Sequence, residues 1–153
     1  MIPHFQREEF TEPLYLEMLP LLVKHHEEIA QFKDIPLDVD LDAYLTAELS
    51  ASLRVFTVRV DRLIGYAVFF VRFNPHYASS LQAVEDVLFL DRSFRKSTRI
   101  GVALIRFAEE QLRDEGVQLI YHHAKVAHPQ LGTILERFGY DHVENIYVKR
   151  VNP

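Results

Sequence analysis

Arg95, Lys96, Ser97, Thr98 and Arg99 stand together between a strand-like run and a helix-like run, with Gly101 close behind. Three cations and two hydroxyls at a helix start make a cradle suited to phosphate or pyrophosphate. The start of a helix also leaves unpaired backbone N–H groups and a partial positive charge, directed at whatever sits there. The same residues also read as an ordinary strand-to-helix connection with solvated side chains, and a lone glycine does not decide between the two. The histidines suggest metal chemistry less well. His25-His26 and His122-His123 are adjacent pairs, helical metal sites use i, i+4 spacing, and there is no His-Glu-x-x-His. No metal is expected, and of His25 and His26 one is expected at the core margin and the other in solvent.

The flanking elements must hold this cradle. Val87 to Leu90 is an unbroken apolar run, suited to a strand covered on both faces. Ile100, Ala103, Leu104, Phe107, Ala108 and Leu112 then repeat at helical spacing, and Gly116 is a good stop. Upstream, an edge strand is expected around Pro3 to Arg7. A helix capped by Thr11 follows, with a kink or restart at Pro20. After a loop from Phe32 to Leu37, Asp38 or Asp40 caps a second helix running through Leu49. Leu53 to Val60 and Leu63 to Phe73 read as a hairpin about Asp61-Arg62, with Gly65 marking a bulge or a close backbone approach. Asn74 to Ser80 reads as a loop and Leu81 to Leu90 as the next strand. Glu85 and Asp86 interrupt that strand's apolar run and face opposite sides. A strand at Val117 to Ala124, a helix from His128-Pro129 to Gly139 and a strand at Val143 to Val151 complete the order. This is an α+β chain with a mixed sheet. The crossover helix makes the strand after it parallel to the strand before it. A splay between those two strands would expose backbone groups of Val87 to Leu90 beside the helix start.

At 153 residues the chain reads as one domain, 1–153, with enough length to bury a core. A net charge of -5 argues against broad binding to nucleic acid or acidic membranes. The absence of cysteine excludes disulfides, thiolate catalysis and Cys-based metal sites. No apolar run approaches the ~20 residues that span a bilayer, and the first ten residues lack a signal layout, so a cytoplasmic protein is expected.

This order of elements, with LFLDRSFRKSTRIGVAL and the later HPQLGTILERFGY, resembles the GNAT superfamily of acetyl-CoA-dependent N-acetyltransferases. The similarity runs from about Leu53 to Val151. The N-terminal half is similar to a subgroup common in phage genomes. The resemblance implies a GNAT-like fold and transfer of acetyl from acetyl-CoA to a primary amine, on a small molecule or a protein. It implies that the backbone of Leu88, Phe89 and Leu90 pairs with the pantetheine arm. It places the pyrophosphate on Arg95, Lys96, Ser97, Thr98, Arg99, Ile100, Gly101 and Val102. Glu85 or Asp86 falls where such enzymes place a general base, and His123 lies on the other side of the expected splay. The acceptor side would be bordered by His25, Tyr44, His76 and Tyr77. A homodimer through residues 145–151 is also in keeping with the family.

Several positions depart from the family pattern. The first glycine of the phosphate signature is Thr98 or Arg99, and the loop from Arg95 to Gly101 is one residue longer. The familiar Asn is His128. The tyrosine that protonates the leaving thiolate falls at Leu135, which cannot do so, leaving Tyr121, Tyr140 or Tyr147 as substitutes; Tyr147 is the one carried forward here. These departures support an alternative expectation: a catalytically degenerate domain that binds coenzyme A or a protein partner.

Overall fold

The computed structural model describes residues 2–96 and 99–153. Ser97 and Thr98, two of the expected phosphate contacts, lie outside the described residues. The chain divides into two compact units, Met1–His123 and Ala124–Pro153.

In the first unit the order is β1 (His4–Glu8), α1 (Glu12–Ile29), α2 (Leu41–Leu49), β2 (Leu53–Val60), β3 (Arg62–Asn74), β4 (Tyr77–Leu90), a short 3-10 turn (Arg92–Phe94), α3 (Arg99–Asp114) and β5 (Leu119–Tyr121). The five strands form one sheet in sequence order, β1-β2-β3-β4-β5. The first four pair antiparallel, and β4 pairs parallel with β5, as the crossover through α3 requires. This is the mixed α+β sheet expected from the sequence.

Two apolar layers cover the sheet. On one face Phe56, Val58, Ile64, Ala67, Phe69 and Ala83 pack with Leu104, Ala108 and Leu112 of α3. On the other, Leu53, Val55, Tyr66, Val68 and Phe89 pack with Leu14, Met18 and Leu21 of α1. β3 alternates between both layers, which explains its continuous apolar run and central position.

The caps follow the sequence. Thr11 Oγ1 accepts from the Leu14 N–H at 3.2 Å, and Asp40 Oδ1 accepts from the Ala43 N–H at 3.0 Å. Pro20 does not restart the helix: α1 is one helix from Glu12 to Ile29 with the proline inside it. Pro20 and Leu16, whose carbonyl loses its i+4 donor, are both exposed, so water can replace the missing bond.

Gly65 marks both features anticipated for it. The β2–β3 register shifts beside its partner Val58, and a Cβ at Gly65 would lie 2.8 Å from the Phe89 carbonyl oxygen. β3 and β4 come this close only because no side chain intervenes. The hairpin loop expected from Asn74 to Ser80 is shorter: β4 already begins at Tyr77, which pairs with Asn74.

In the second unit α4 spans Gln130–Arg137, with Pro129 as the residue before it and Gly139 after it at φ +87°. Leu135 is buried. The strand expected from Val143 to Val151 is not formed: residues 141–153 carry no strand assignment, and Val143, Ile146, Tyr147, Val148 and Val151 are exposed. Its β-branched and aromatic residues are a β signal, but a strand exists only with a neighbour to complete its hydrogen bonds.

Two substitutions test the backbone reading with opposite signs. Ala51 follows α2 at φ +59°, where a Cβ is strained. Ala51→Gly is expected to stabilise the protein by up to about 1 kcal/mol. Gly65→Ala, forced against the Phe89 carbonyl, is expected to destabilise it by about 1–3 kcal/mol. Urea unfolding midpoints check both.

Candidate functional site

The parallel ladder between β4 and β5 is short. It holds Gln82 to Leu119, Ala83 to Ile120 and Val84 to Tyr121, and then ends. β4 continues to Leu90, paired on its other side with β3 as far as Gly65. The backbone from Glu85 to Leu90 is therefore paired on one edge only, and β4 and β5 diverge as a fork. This is the expected splay. It explains why β5 stops at Tyr121 rather than reaching Ala124.

A bulge sits at the fork. Phe69 pairs with Glu85 and Val68 with Val87, so Asp86 has no partner on β3. The extra residue turns the strand locally. Glu85 and Asp86 then take opposite faces, as alternation requires. Glu85 is buried and meets His122, whose Nδ1 lies 2.9 Å from Glu85 Oε1. Asp86 turns toward α2, where the Tyr44 hydroxyl donates to its Oδ2 at 2.6 Å.

Burial raises the Asp86 carboxyl above the ordinary aspartate range. The Tyr44 hydrogen bond and the charge of nearby His123 pull the other way, and the Glu85 charge adds to the rise. Burial and the Asp86 carboxylate together push the Tyr44 phenol upward, so it remains a donor. Tyr66 is raised as well, mainly by burial.

The structure thus brings Glu85, Asp86 and His123 to the fork beside Leu88, Phe89 and Leu90. Sequence reasoning missed His122 and the Tyr44–Asp86 bond. The adjacent histidines were visible, but choosing the one that meets Glu85 needs the β4–β5 register.

Arg95 is placed differently from expectation. Its Nη1 and Nη2 donate to Glu28 of α1 at 2.5 and 3.1 Å, its Nε donates to the Leu90 carbonyl at 2.6 Å, and its guanidinium lies 5.0 Å from the Phe89 ring centroid. Its charge ties α1 to the end of β4, and the bond from Arg95 holds Glu28 below the usual carboxylate range against a burial penalty. Lys96 and Arg99 are exposed at the start of α3, with Ile100 and Val102 partly buried. Among the described residues, a Cβ at Gly101 would meet only Leu90 Cδ2, at the ordinary distance of 3.7 Å. The open β4 edge and the uncrowded helix start fit a thioester arm and its phosphates.

The remaining candidates lie elsewhere. His25 is buried, stacked on Phe89 at 4.9 Å and 3.3 Å from the Tyr66 hydroxyl; His26 bonds to the Ile35 carbonyl. His25 therefore serves packing rather than bordering an open acceptor site. His76 and Tyr77 are at the far end of the β3–β4 hairpin, roughly 30 Å along the strand from Asp86 at ~3.3 Å per residue, so they do not border the fork. His128 and Tyr147 belong to the second unit, both exposed, with Tyr147 outside any strand. Of the tyrosines considered as acids, Tyr121 is on β5 and pairs at the last rung of the ladder.

Because ionised Asp86 is disfavoured in the folded state, its folded pKa lies above the unfolded value of 3.8. Stability is lost as pH rises from the unfolded value through the folded one, and the cost is complete above it. Asp86→Asn keeps an acceptor for Tyr44 and removes this cost. It is expected to raise Tm at pH 7 by about 1–3 °C, a gain that vanishes below the unfolded value. Thermal melts across pH 3–8 check this.

No protein-family model matches the sequence, and no curated protein matches it. Solved structures do match over nearly the whole chain. One is a ribosomal-protein-alanine N-acetyltransferase from Brucella melitensis biovar Abortus 2308, with TM-score 0.73, 15% identity, and 99% of this chain and 100% of that one covered. Another is an aminoglycoside acetyltransferase from an uncultured soil metagenomic sample, with TM-score 0.76, 12% identity, and 99% and 100% covered. A third is an acetyltransferase from Trypanosoma brucei, with TM-score 0.71, 16% identity, and 97% and 100% covered. Identities this low carry the fold and no more: this chain has the fold of the GNAT-type acetyltransferases.

Proposed function

We propose that the protein is an N-acetyltransferase that moves an acetyl group from acetyl-CoA to a primary amine by direct attack on the thioester. The observation that carries this reading is the edge of β4 from Glu85 to Leu90, which no strand pairs among the described residues and which runs from a cluster of titratable side chains to the start of α3. Such an edge accepts an extended arm as a partial extra strand through the backbone groups of Leu88 and Leu90 that face away from β3, the Leu90 carbonyl once Arg95 releases it; those of Phe89 face β3 and pair with Tyr66. The phosphates would then fall to Lys96, Arg99 and the backbone of Ile100, Gly101 and Val102, together with Ser97 and Thr98. Arg95 would join them only by leaving Glu28. When bound, acetyl-CoA supplies the activated acyl group.

The chain's own residues supply the proton chemistry. An ammonium must lose a proton before its nitrogen can attack. Asp86 is the base we assign. It has the unpaired bulge position, a carboxyl shifted upward mainly by burial, and a Tyr44 hydroxyl fixing its orientation. His123 beside it is a second base or a donor to the acetyl oxygen. Glu85 is committed to His122 and holds the fork in shape. Tyr121, at the last rung of the fork, provides the acid at sulfur. The acceptor is a primary amine; the similar structures include one named for ribosomal-protein alanine and others named for aminoglycosides.

Titration calorimetry with acetyl-CoA, desulfo-coenzyme A and adenosine diphosphate tests the reading. Acetyl-CoA is expected to bind the wild type with Kd of about 1–100 μM, in the range of ordinary enzyme substrates. Gly101→Ala adds a methyl where the protein has space, so the fold gains about 0.5–1 kcal/mol of helix stability. In the proposed pose the same methyl would crowd the pyrophosphate at the helix start, and it is expected to weaken acetyl-CoA binding about tenfold or more, about 1.4 kcal/mol. Thiol release with a panel of amines should fall at least about 100-fold in Asp86→Asn. Absence of binding by all three ligands overturns the proposal; binding without thiol release for any amine would identify a coenzyme A binding domain instead.

A further inference from the structure

His122 has no role in the proton chemistry above, yet it is more enclosed than any other titratable group at the fork. Its side chain is 2% exposed and that of Glu85 6%. With Glu85 as a carboxylate, which only accepts, the 2.9 Å contact is a hydrogen bond from the His122 Nδ1–H to Glu85 Oε1. The bond joins the first residues beyond the last backbone pair, Val84 with Tyr121. It is a cross-strand link at the point where the fork opens. Phe69, fully buried, braces it from behind. Its ring meets the imidazole edge to face, with centroids 5.4 Å apart at 82°, and its backbone pairs with Glu85. Phe69, His122 and Glu85 thus form a closed wedge at the vertex.

We infer that His122 is a positioning residue which, through Glu85, fixes the closed end of the fork and so limits the length of the acyl group admitted there. The inference rests on the acyl-CoA reading given above. In that reading the phosphates lie at the α3 start, beside Leu90, and the acyl end points toward the vertex at Val84. The span between them is roughly 20 Å at ~3.3 Å per residue. Opening one more rung of the ladder would deepen the fork and admit a longer chain. The wedge resists this, because opening it separates a buried carboxylate from its buried donor. The arrangement favours the short acetyl group over longer acyl groups.

The test compares binding of coenzyme A, acetyl-CoA, propionyl-CoA and butyryl-CoA by calorimetry. Wild type should bind acetyl-CoA at least about tenfold more tightly than butyryl-CoA. His122→Ala should narrow that ratio to below about threefold while affinity for coenzyme A itself stays unchanged. His122→Asn, whose amide nitrogen takes the place of Nδ1, should restore the wild-type ratio. The double variant Glu85→Met/His122→Leu fills the same space with apolar atoms and removes both members of the buried pair. It should therefore fold even where His122→Ala does not, and should show the narrowed ratio. A structural role alone would lower Tm without moving the ratio. A wild type that does not discriminate, or a ratio unchanged in the folded variants, overturns the inference and leaves the donor reading intact. A wild type that binds none of the four ligands overturns both.

Discussion

The structure depends on where one backbone ladder stops. β4 and β5 share three rungs and then part. Each residue beyond that point carries backbone groups that a neighbouring strand would ordinarily satisfy. A sheet can tolerate such an interior edge only if something holds the two strands apart and something else keeps the free strand in place. β3 does the second job, pairing with β4 through Gly65 and Leu90. The close pass at Gly65 brings the two strands together with no side chain between them. The wedge of Phe69, His122 and Glu85 does the first, marking the vertex with a buried polar bond.

At the other end of the free edge, ion pairs take over from apolar packing. Arg95 spans from the Leu90 carbonyl to Glu28, and buried Asp91 gathers Arg62 and Lys24. Burial alone would raise Asp91, but the Arg62 hydrogen bond, the Ser93 N–H and Lys24 together bring it below its ordinary value. Glu28 is lowered likewise, chiefly by Arg95. Both carboxylates therefore contribute stability above their unfolded pKa values, and that contribution is lost as pH falls through the folded ones. The turn leading into α3 is thus anchored to α1 and to the β2–β3 turn by groups that work best when ionised, at neutral pH. Asp86 has the opposite character. It is a carboxylate whose charge the fold disfavours, placed on an unpaired bulge beside a free edge. A group that costs stability in its charged form marks a place where the fold gives up some of its own stability, and such places are where proton chemistry is found.

Much of this was legible in the sequence. The helix-spaced apolar residues of α3, the Thr11 and Asp40 caps, the β2–β3 hairpin and Gly65 all depend on local chemistry and appear where the pattern puts them. The parallel crossover followed from connectivity alone; the splay did not, since a parallel pair can run on without parting. The strand at Val143 to Val151 was not determined this way, because β-branched and aromatic residues record a preference and a strand also needs a partner edge. The shared misplacement of His25, His76 and Tyr77 at an acceptor site has a different origin. Being near a fold's usual site in outline says nothing of whether a side chain is packed inward, as His25 is against Phe89, or carried to the far end of a long hairpin.

The sequence by itself determined which segments are strands and helices, which faces are apolar, and that a carboxylate pair interrupts a buried strand. Those properties are set by residues within a few positions of one another. Only the tertiary structure decided that Asp86 is the bulged residue, that His122 and not His123 meets Glu85, and that Arg95 is claimed by Glu28. Each of these depends on the register of strands or the packing of helices distant in sequence. A shift of one residue in strand register would turn the side chains of Glu85, Asp86 and His122 to the opposite face of the sheet.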